Sequence, residues 1–332
     1  MNPSFRRLGA TVVRPLLALS VLAGVLGAPA VHAQAWPAKQ PIKLVAVFPP
    51  GGSVDQVARI LASVLQQRLG QSVVVENKGG ASGAIGTAAV AQAPADGYTF
   101  AVVFDTHGVN PALQPSLPYD TRRDLAAVSL IGTGAMVIAT VASSPYKTFG
   151  DVVKASQTGS SISYGSIGNG SLGHLAVTML ARAGKMDLVH VPYRGGGPLM
   201  SDAIAGHVPL AVGSVFLAKP HIDSGKLRAL AVTTSQRSAN LPGVPTIAES
   251  GFAGFDAPAW WAVLAPAKTP AEIVKRMNEE INAALKLPEV AEKLAAQGIV
   301  TNIGTPASAQ AFIEQQLDTW AKVVKANDIK SD

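Results

Sequence analysis

Apolar positions along this 332-residue chain change period several times, and each change marks a predicted element. Ile42 to Phe48 is an apolar run broken only by Lys43, and Pro49-Pro50-Gly51-Gly52 ends it. It reads as a buried strand followed by a turn. Val54, Val57, Leu61, Val64, Leu65 and Leu69 then recur at helical spacing, with Gly70 as the stop. Ser72–Glu76 and Tyr98–Phe104 are further apolar strands. Between them lie a glycine-punctuated loop, Gly79 to Gly86, and an alanine-rich helix to Ala93. Strands without polar alternation, joined by helices, predict a parallel sheet covered on both faces.

The pattern restarts at a short strand, Ile162-Ser163-Tyr164, and a second glycine-rich loop from Gly165 to Gly170. A helix follows from Ser171 to Ala183, then strands at Leu188–Val191, Val208–Val212 and Leu227–Thr233. The chain thus holds two β-α-β-α-β units without a residue-by-residue repeat. The remainder is mostly helical. Thr269-Pro270-Ala271-Glu272 reads as a capping box with Pro at the first helical position. Leu287-Pro288 and Gly298 punctuate the next helix, and Thr305-Pro306 starts the last. These helices have too few strands for a domain of their own, so they are expected to pack back on the first unit.

Charge changes the picture at the N-terminus. Arg6, Arg7 and Arg14 precede an uncharged apolar run from Pro15 to Val31, and Val31-His32-Ala33 ends on small residues. This order describes a secretory signal peptide over residues 1–33, cleaved after Ala33 or Ala35. A spanning helix would need ~20 apolar residues, whereas prolines and glycines break this shorter run. Without those three arginines the chain keeps 24 basic against 21 acidic side chains, a net of +3. That balance gives no nucleic-acid footprint. The sequence has no Cys, which excludes disulfides, thiolate metal sites and a lipid-modified N-terminal Cys. A free, monomeric protein of the periplasm is the expectation.

The two glycine loops carry the candidate chemistry. Each lies between the carboxyl end of a strand and the start of a helix. There the first backbone N–H groups lack internal partners and carry the positive end of the helix dipole. Glycines let an anion approach closely, so both loops could take a carboxylate or phosphate; Ser53 or Asp55 could instead be a simple N-cap. A dinucleotide site fits poorly, because Gly51-Gly52-Ser53-Val54-Asp55 is not G-x-G-x-x-G and neither loop ends as a P-loop. Hydrolase chemistry fits no better: Ser82 lacks the last Gly of a nucleophile elbow, and no His pair among His107, His174, His190, His207 and His221 has i,i+4 metal spacing. His190 reads as a hydrogen-bonded core histidine. His174 is open to a cleft role or a structural one. Trp260 and Trp261 favour core or hinge packing over ligand stacking.

Taken together, "PIKLVAVFPPGGSVDQVAR", "VVVENKGGASGAIG", "SYGSIGNGSLGHLA", "LVHVPYRGGGPLMSDAIAGHV" and "LPGVPTIAESG" resemble the Bug family of periplasmic receptors, the solute-binding proteins of tripartite tricarboxylate transporters. The resemblance implies a type II periplasmic binding protein fold, α/β, with two lobes and a ligand cleft between them. Residues 36–134 plus 255–332 would form lobe 1 and residues 135–254 lobe 2. It implies a small carboxylate ligand, delivered to membrane permease subunits, and neither catalysis, cofactor nor metal. The implied ligand-binding residues are Phe48, Gly51, Gly52, Ser53, Asp55 and Thr106 on one lobe, and Ser166, Gly168, Asn169, Gly170, His174 and Ser214 on the other. A sensor docked on a membrane kinase and an exported enzyme are the competing functions. Asp105, Arg194 and Ala262 depart from the family's usual residues. An unpaired Asp105 carboxylate near the cleft would repel a second ligand carboxylate; capping a turn or pairing with Lys or Arg is the alternative.

Overall fold

The computed structural model describes residues 36–326 and residue 329, and the predicted signal peptide lies outside them. Its elements are β1 (Ile42–Ala46), α1 (Ser53–Leu69), β2 (Val73–Asn77), α2 (Ala84–Ala91), β3 (Thr99–Phe104), α3 (Thr106–Leu113), α4 (Thr121–Asp124) and β4 (Leu125–Gly134). There follow β5 (Met136–Val141), α5 (Phe149–Gln157), β6 (Ile162–Ser166), α6 (Leu172–Gly184), β7 (Leu188–Pro192), α7 (Gly196–Ala205), β8 (Leu210–Ser214), α8 (Val215–Asp223) and β9 (Leu227–Val232). The chain ends with β10 (Ala259–Pro266), α9 (Ala271–Leu285), α10 (Pro288–Ala296), β11 (Ile299–Thr301) and α11 (Pro306–Ala326).

Two sheets result. The first runs β11-β4-β10-β3-β1-β2 and the second β7-β6-β8-β5-β9. In the first, β1 pairs in parallel with β2 and β3, as the apolar runs predict. The wholly parallel sheet is nevertheless corrected, because β10 enters antiparallel between β3 and β4, and β11 pairs antiparallel with β4. Every residue of β10 is buried, which an eight-residue run of Ala, Trp, Val, Leu and Pro permits at a sheet centre. Trp260 and Trp261 both lie in this core. In the second sheet β6 is parallel to β7 and β8, while β5 is antiparallel to β8 and β9.

The chain passes from the first sheet to the second across Ala135 and returns through residues 233–258. Thr233 joins the two crossings. Its Oγ1 accepts from Met136 N at 3.1 Å and donates to Ala257 O at 2.8 Å. Its backbone N donates to Met136 O, and Ala257 N donates to Thr233 O.

The expected capping box at Thr269 does not form. Pro270 takes the N-cap place with no side-chain cap, so Thr269 falls one residue too early to reach the helix's third N–H. Its Oγ1 is buried without a hydrogen-bond partner.

Thr233→Val keeps the shape of the crossing but leaves Met136 N and Ala257 O without their side-chain partner. Urea denaturation should show a loss of about 1–3 kcal/mol, the usual cost of stranding buried polar groups. An unchanged midpoint would mean that the backbone bonds alone hold the crossing.

Candidate functional site

The carboxyl ends of the parallel strands in both sheets face a common cleft, where ligands of open α/β sheets are expected. Three helices begin there without a side-chain cap: α1 after Gly52, α7 after Gly195 and α8 after Ser214. Their first residues line one small chamber of ≈ 30 Å³, with Gly52, Ser53 and Val54 on one side and Gly195, Gly196, Gly197 and Ser214 on the other. Phe48, Phe104, Ile167 and Leu217 supply apolar walls. The Ser214 hydroxyl is buried there without a hydrogen-bond partner. Uncapped helix starts carry positive dipole ends and N–H groups that the helix itself does not satisfy; at α8 the first of these, Val215 N, donates to Ala135 O at 3.0 Å. A wider cleft of ≈ 780 Å³ adjoins it, sharing Phe48, Pro49, Pro50, Ile167 and Arg194 and adding the turn at Gly79–Ser82 and the loop at Gly168–Asn169.

The first loop is held from behind. Asp55 accepts from Gly51 N at 3.0 Å, from Asn77 Nδ2 at 2.9 Å and from Arg59 Nε at 3.0 Å. Asn77 Nδ2 also reaches Phe48 O at 3.1 Å. Burial pushes the Asp55 carboxyl up, but the bonds from Arg59, Gly51 and Asn77 outweigh it and leave its pKa lowered. Asp55 is therefore an ionised brace rather than a lining residue, and neither it nor Ser53 caps α1. Trp261 Nε1 donates to Ser53 Oγ at 3.3 Å, so the central strand aims that hydroxyl. Phe48 meets Phe104 edge-on at 6.3 Å, and Phe104 packs on Trp261 at 4.9 Å.

The second loop is largely satisfied by its own residues. Ser171 caps α6 by accepting from His174 N, and Gly170 N donates to His174 Nδ1 at 3.1 Å. Ser166 Oγ donates to Gly168 O at 3.0 Å and lies 2.7 Å from His190 Nε2. The two imidazoles stack at 3.9 Å. Burial, with a smaller push from His174, lowers His190 to about 3, so it is neutral at ordinary pH. His190 is half-buried on the edge strand β7 rather than in the core. Ser166, Gly170 and His174 thus shape the loop from beneath, while Gly168 and Asn169 reach the cleft. There Asn169 O accepts from the Ser82 hydroxyl, linking the loops of the two sheets. Thr106 is buried below Gly83, and Gly51 lines an outer groove with Gln56 and Met200.

Residues 57–329 match the family model described as the tripartite tricarboxylate transporter family receptor. The chain belongs to that receptor family. BugT of Bordetella pertussis is 37% identical over 303 residues, covering 90% of this chain and 93% of BugT. A solved R. palustris protein with adipate has a TM-score of 0.85 at 33% identity, over 89% of this chain and 99% of its own. MatC from Rhodopseudomonas palustris, with bound malate, has a TM-score of 0.80 at 28% identity, over 86% and 99%. The α/β binding-protein fold that the sequence resemblance implied is the one this family member adopts.

Besides the turn at Gly79–Ser82, the turn Tyr193–Gly197 and the residues Phe104 and Leu217 line the cavities without having been named as ligand contacts from the sequence. The turn Tyr193-Arg194-Gly195-Gly196-Gly197 meets the same strand-glycine-helix criterion as the first two loops. Gly195 has φ +115° and Gly196 faces Leu217 with no room for a Cβ. Phe104 and Leu217 carried no signal beyond apolarity.

Asp105 stands at the end of β3, as predicted, but none of its expected roles holds. It is fully buried, does not line the cleft, and pairs with neither Lys nor Arg. Neither oxygen makes a well-formed hydrogen bond; the nearest donors are the backbone N–H groups of Leu172, first in α6, and Thr106. Burial raises its carboxyl well above 3.8, and those two donors offset only part of the rise. Over the interval between 3.8 and the raised value the folded chain keeps a proton that the unfolded chain has released. The group's contribution is therefore most favourable below that interval and is lost as pH rises through it. Asp105→Asn, without ligand, should raise the melting temperature at about pH 7, and the gain should shrink toward about pH 4. A pH-independent difference in thermal melts would show that ionisation at 105 is not involved.

Proposed function

We propose that this chain is a periplasmic solute-binding receptor that captures a small carboxylate and delivers it to the membrane permease of a tripartite tricarboxylate-type transporter. The observation that carries the reading is the chamber where α1, α7 and α8 begin uncapped around the partnerless Ser214 hydroxyl. Fixed N–H donors of this kind bind an oxyanion with charge-assisted hydrogen bonds. Relatives solved with adipate and with malate support a carboxylate. Delivery to a permease rests on the family's description. In this reading residues 36–134 plus 255–332 form one lobe, residues 135–254 the other, and the lobes close on the acid. Phe48, Gly52, Ser53 and Ser214 contact it, Gly168 and Asn169 border it, and the other residues named from the sequence shape the loops.

Gly52 provides the test. Its backbone is extended at φ −81°, and a Cβ there would meet only Pro49 O at 3.6 Å. Gly52→Val should fold normally while its methyl groups fill the chamber. Calorimetry with adipate and malate should show affinity falling roughly tenfold or more in Gly52→Val and in Ser214→Ala, the scale of losing a hydrogen bond to a charged group. Wild-type affinity in a folded Gly52→Val protein would move the site elsewhere. Small-angle scattering should also give a smaller radius of gyration at saturating acid than without it.

A further inference from the structure

The charge inventory of the cleft is short. Among the described residues, Arg194 is the one charged side chain that lines either cavity, and it lines both. It stands where the small chamber opens into the wide cleft, is exposed, and appears in no ion pair or side-chain hydrogen bond among the described residues. The nearby acids are engaged elsewhere. Asp202 accepts from the Tyr193 hydroxyl at 2.8 Å and lies 3.4 Å from His207 Nδ1, while Asp55 is held by Arg59, Asn77 and Gly51.

The backbone around Arg194 is fixed on both sides. Tyr193 N donates to Ser166 O at 2.9 Å, its ring is tied to Asp202, and Gly195 begins α7. The other residues that line both cavities are Phe48, Pro49, Pro50 and Ile167, all apolar. A ligand that spans both cavities meets uncapped helix starts, apolar walls and one cation.

We propose that Arg194 is a specificity-determining residue that pairs with a second anionic group on the ligand, so that this receptor selects acids carrying two carboxylates separated by an apolar spacer. The inference rests on the carboxylate reading above: the first carboxylate occupies the chamber, and methylene groups run past Phe48 and Pro49. The guanidinium fork then takes the distal carboxylate, a geometry that suits Arg better than Lys. Asp105 does not oppose the second charge, because it is buried away from the lining and raised toward its neutral form.

The experiment compares adipate, hexanoate and 6-aminohexanoate by calorimetry on the wild-type protein, Arg194→Gln and Arg194→Glu. Melting temperatures accompany each variant; the exposed side chain should leave them unchanged. Wild type should prefer adipate to hexanoate by about tenfold, and Arg194→Gln should erase that preference while leaving hexanoate within about twofold. Arg194→Glu should favour 6-aminohexanoate over adipate, and added salt should weaken only the wild-type preference for adipate. Equal adipate affinity in wild type and Arg194→Gln, or equal wild-type affinity for adipate and hexanoate, overturns the role of Arg194 and leaves the carboxylate reading standing. Binding of none of the three acids overturns that reading and this inference with it.

Discussion

Every helix that starts at the cleft exposes backbone N–H groups that the helix cannot satisfy, and how each start is satisfied organises the site. At α6 the chain supplies its own answer, with the Ser171 hydroxyl accepting from His174 N. At α1, α7 and α8 it supplies no side-chain cap. A cap on an ordinary helix contributes about 1 kcal/mol, so leaving three uncapped around one chamber forgoes that stability. The division also separates the two glycine loops: the first presents its N–H groups to the chamber, and the second is mostly closed on itself.

Holding those helix starts in register falls to groups well behind them. Asp55 ties Gly51 to β2 through Asn77, so the turn after β1 cannot shift without breaking a buried carboxylate's bonds. Trp261 aims Ser53 from the middle of the first sheet, and it can do so because β10 inserts between β3 and β4. The returning segment thus completes the sheet and fixes a side chain of the site. On the second sheet, Ser166 and the stacked His174 and His190 hold the strand end below Gly168. Thr233 stitches the two crossings between the sheets.

Much of this was legible in the sequence. The apolar runs at Ile42–Phe48 and Tyr98–Phe104 lie on central strands, and the two glycine loops lie at strand ends as their spacing implied. The missing parts share a cause. A strand that enters antiparallel, such as β10, has the same continuous apolar pattern as a parallel one, so its direction depends on where the chain comes from. Residues 105–160 hold α3, β4, β5 and α5, yet Pro111 inside α3 and the single residue between β4 and β5 blur both periods there. The site was harder to read. Asp55 and His174 have the residue types of ligand contacts, but their lone pairs are taken by Gly51 and Gly170. Sequence shows which groups can bind an acid and does not show which have already been used by the chain.

That allocation bears on how a receptor can both hold and release its cargo. A lysine or arginine inside the chamber would be a buried charge whenever the acid left, and an uncompensated buried ion costs several kcal/mol. Helix N-termini avoid this, because their partial charges are fixed, neutral in sum and already part of the fold. Arg194, the one lining cation among the described residues, stays exposed, where water can satisfy it. The helix starts thus give the chamber uncharged donors, and the charge that lines it lies on a side chain open to water.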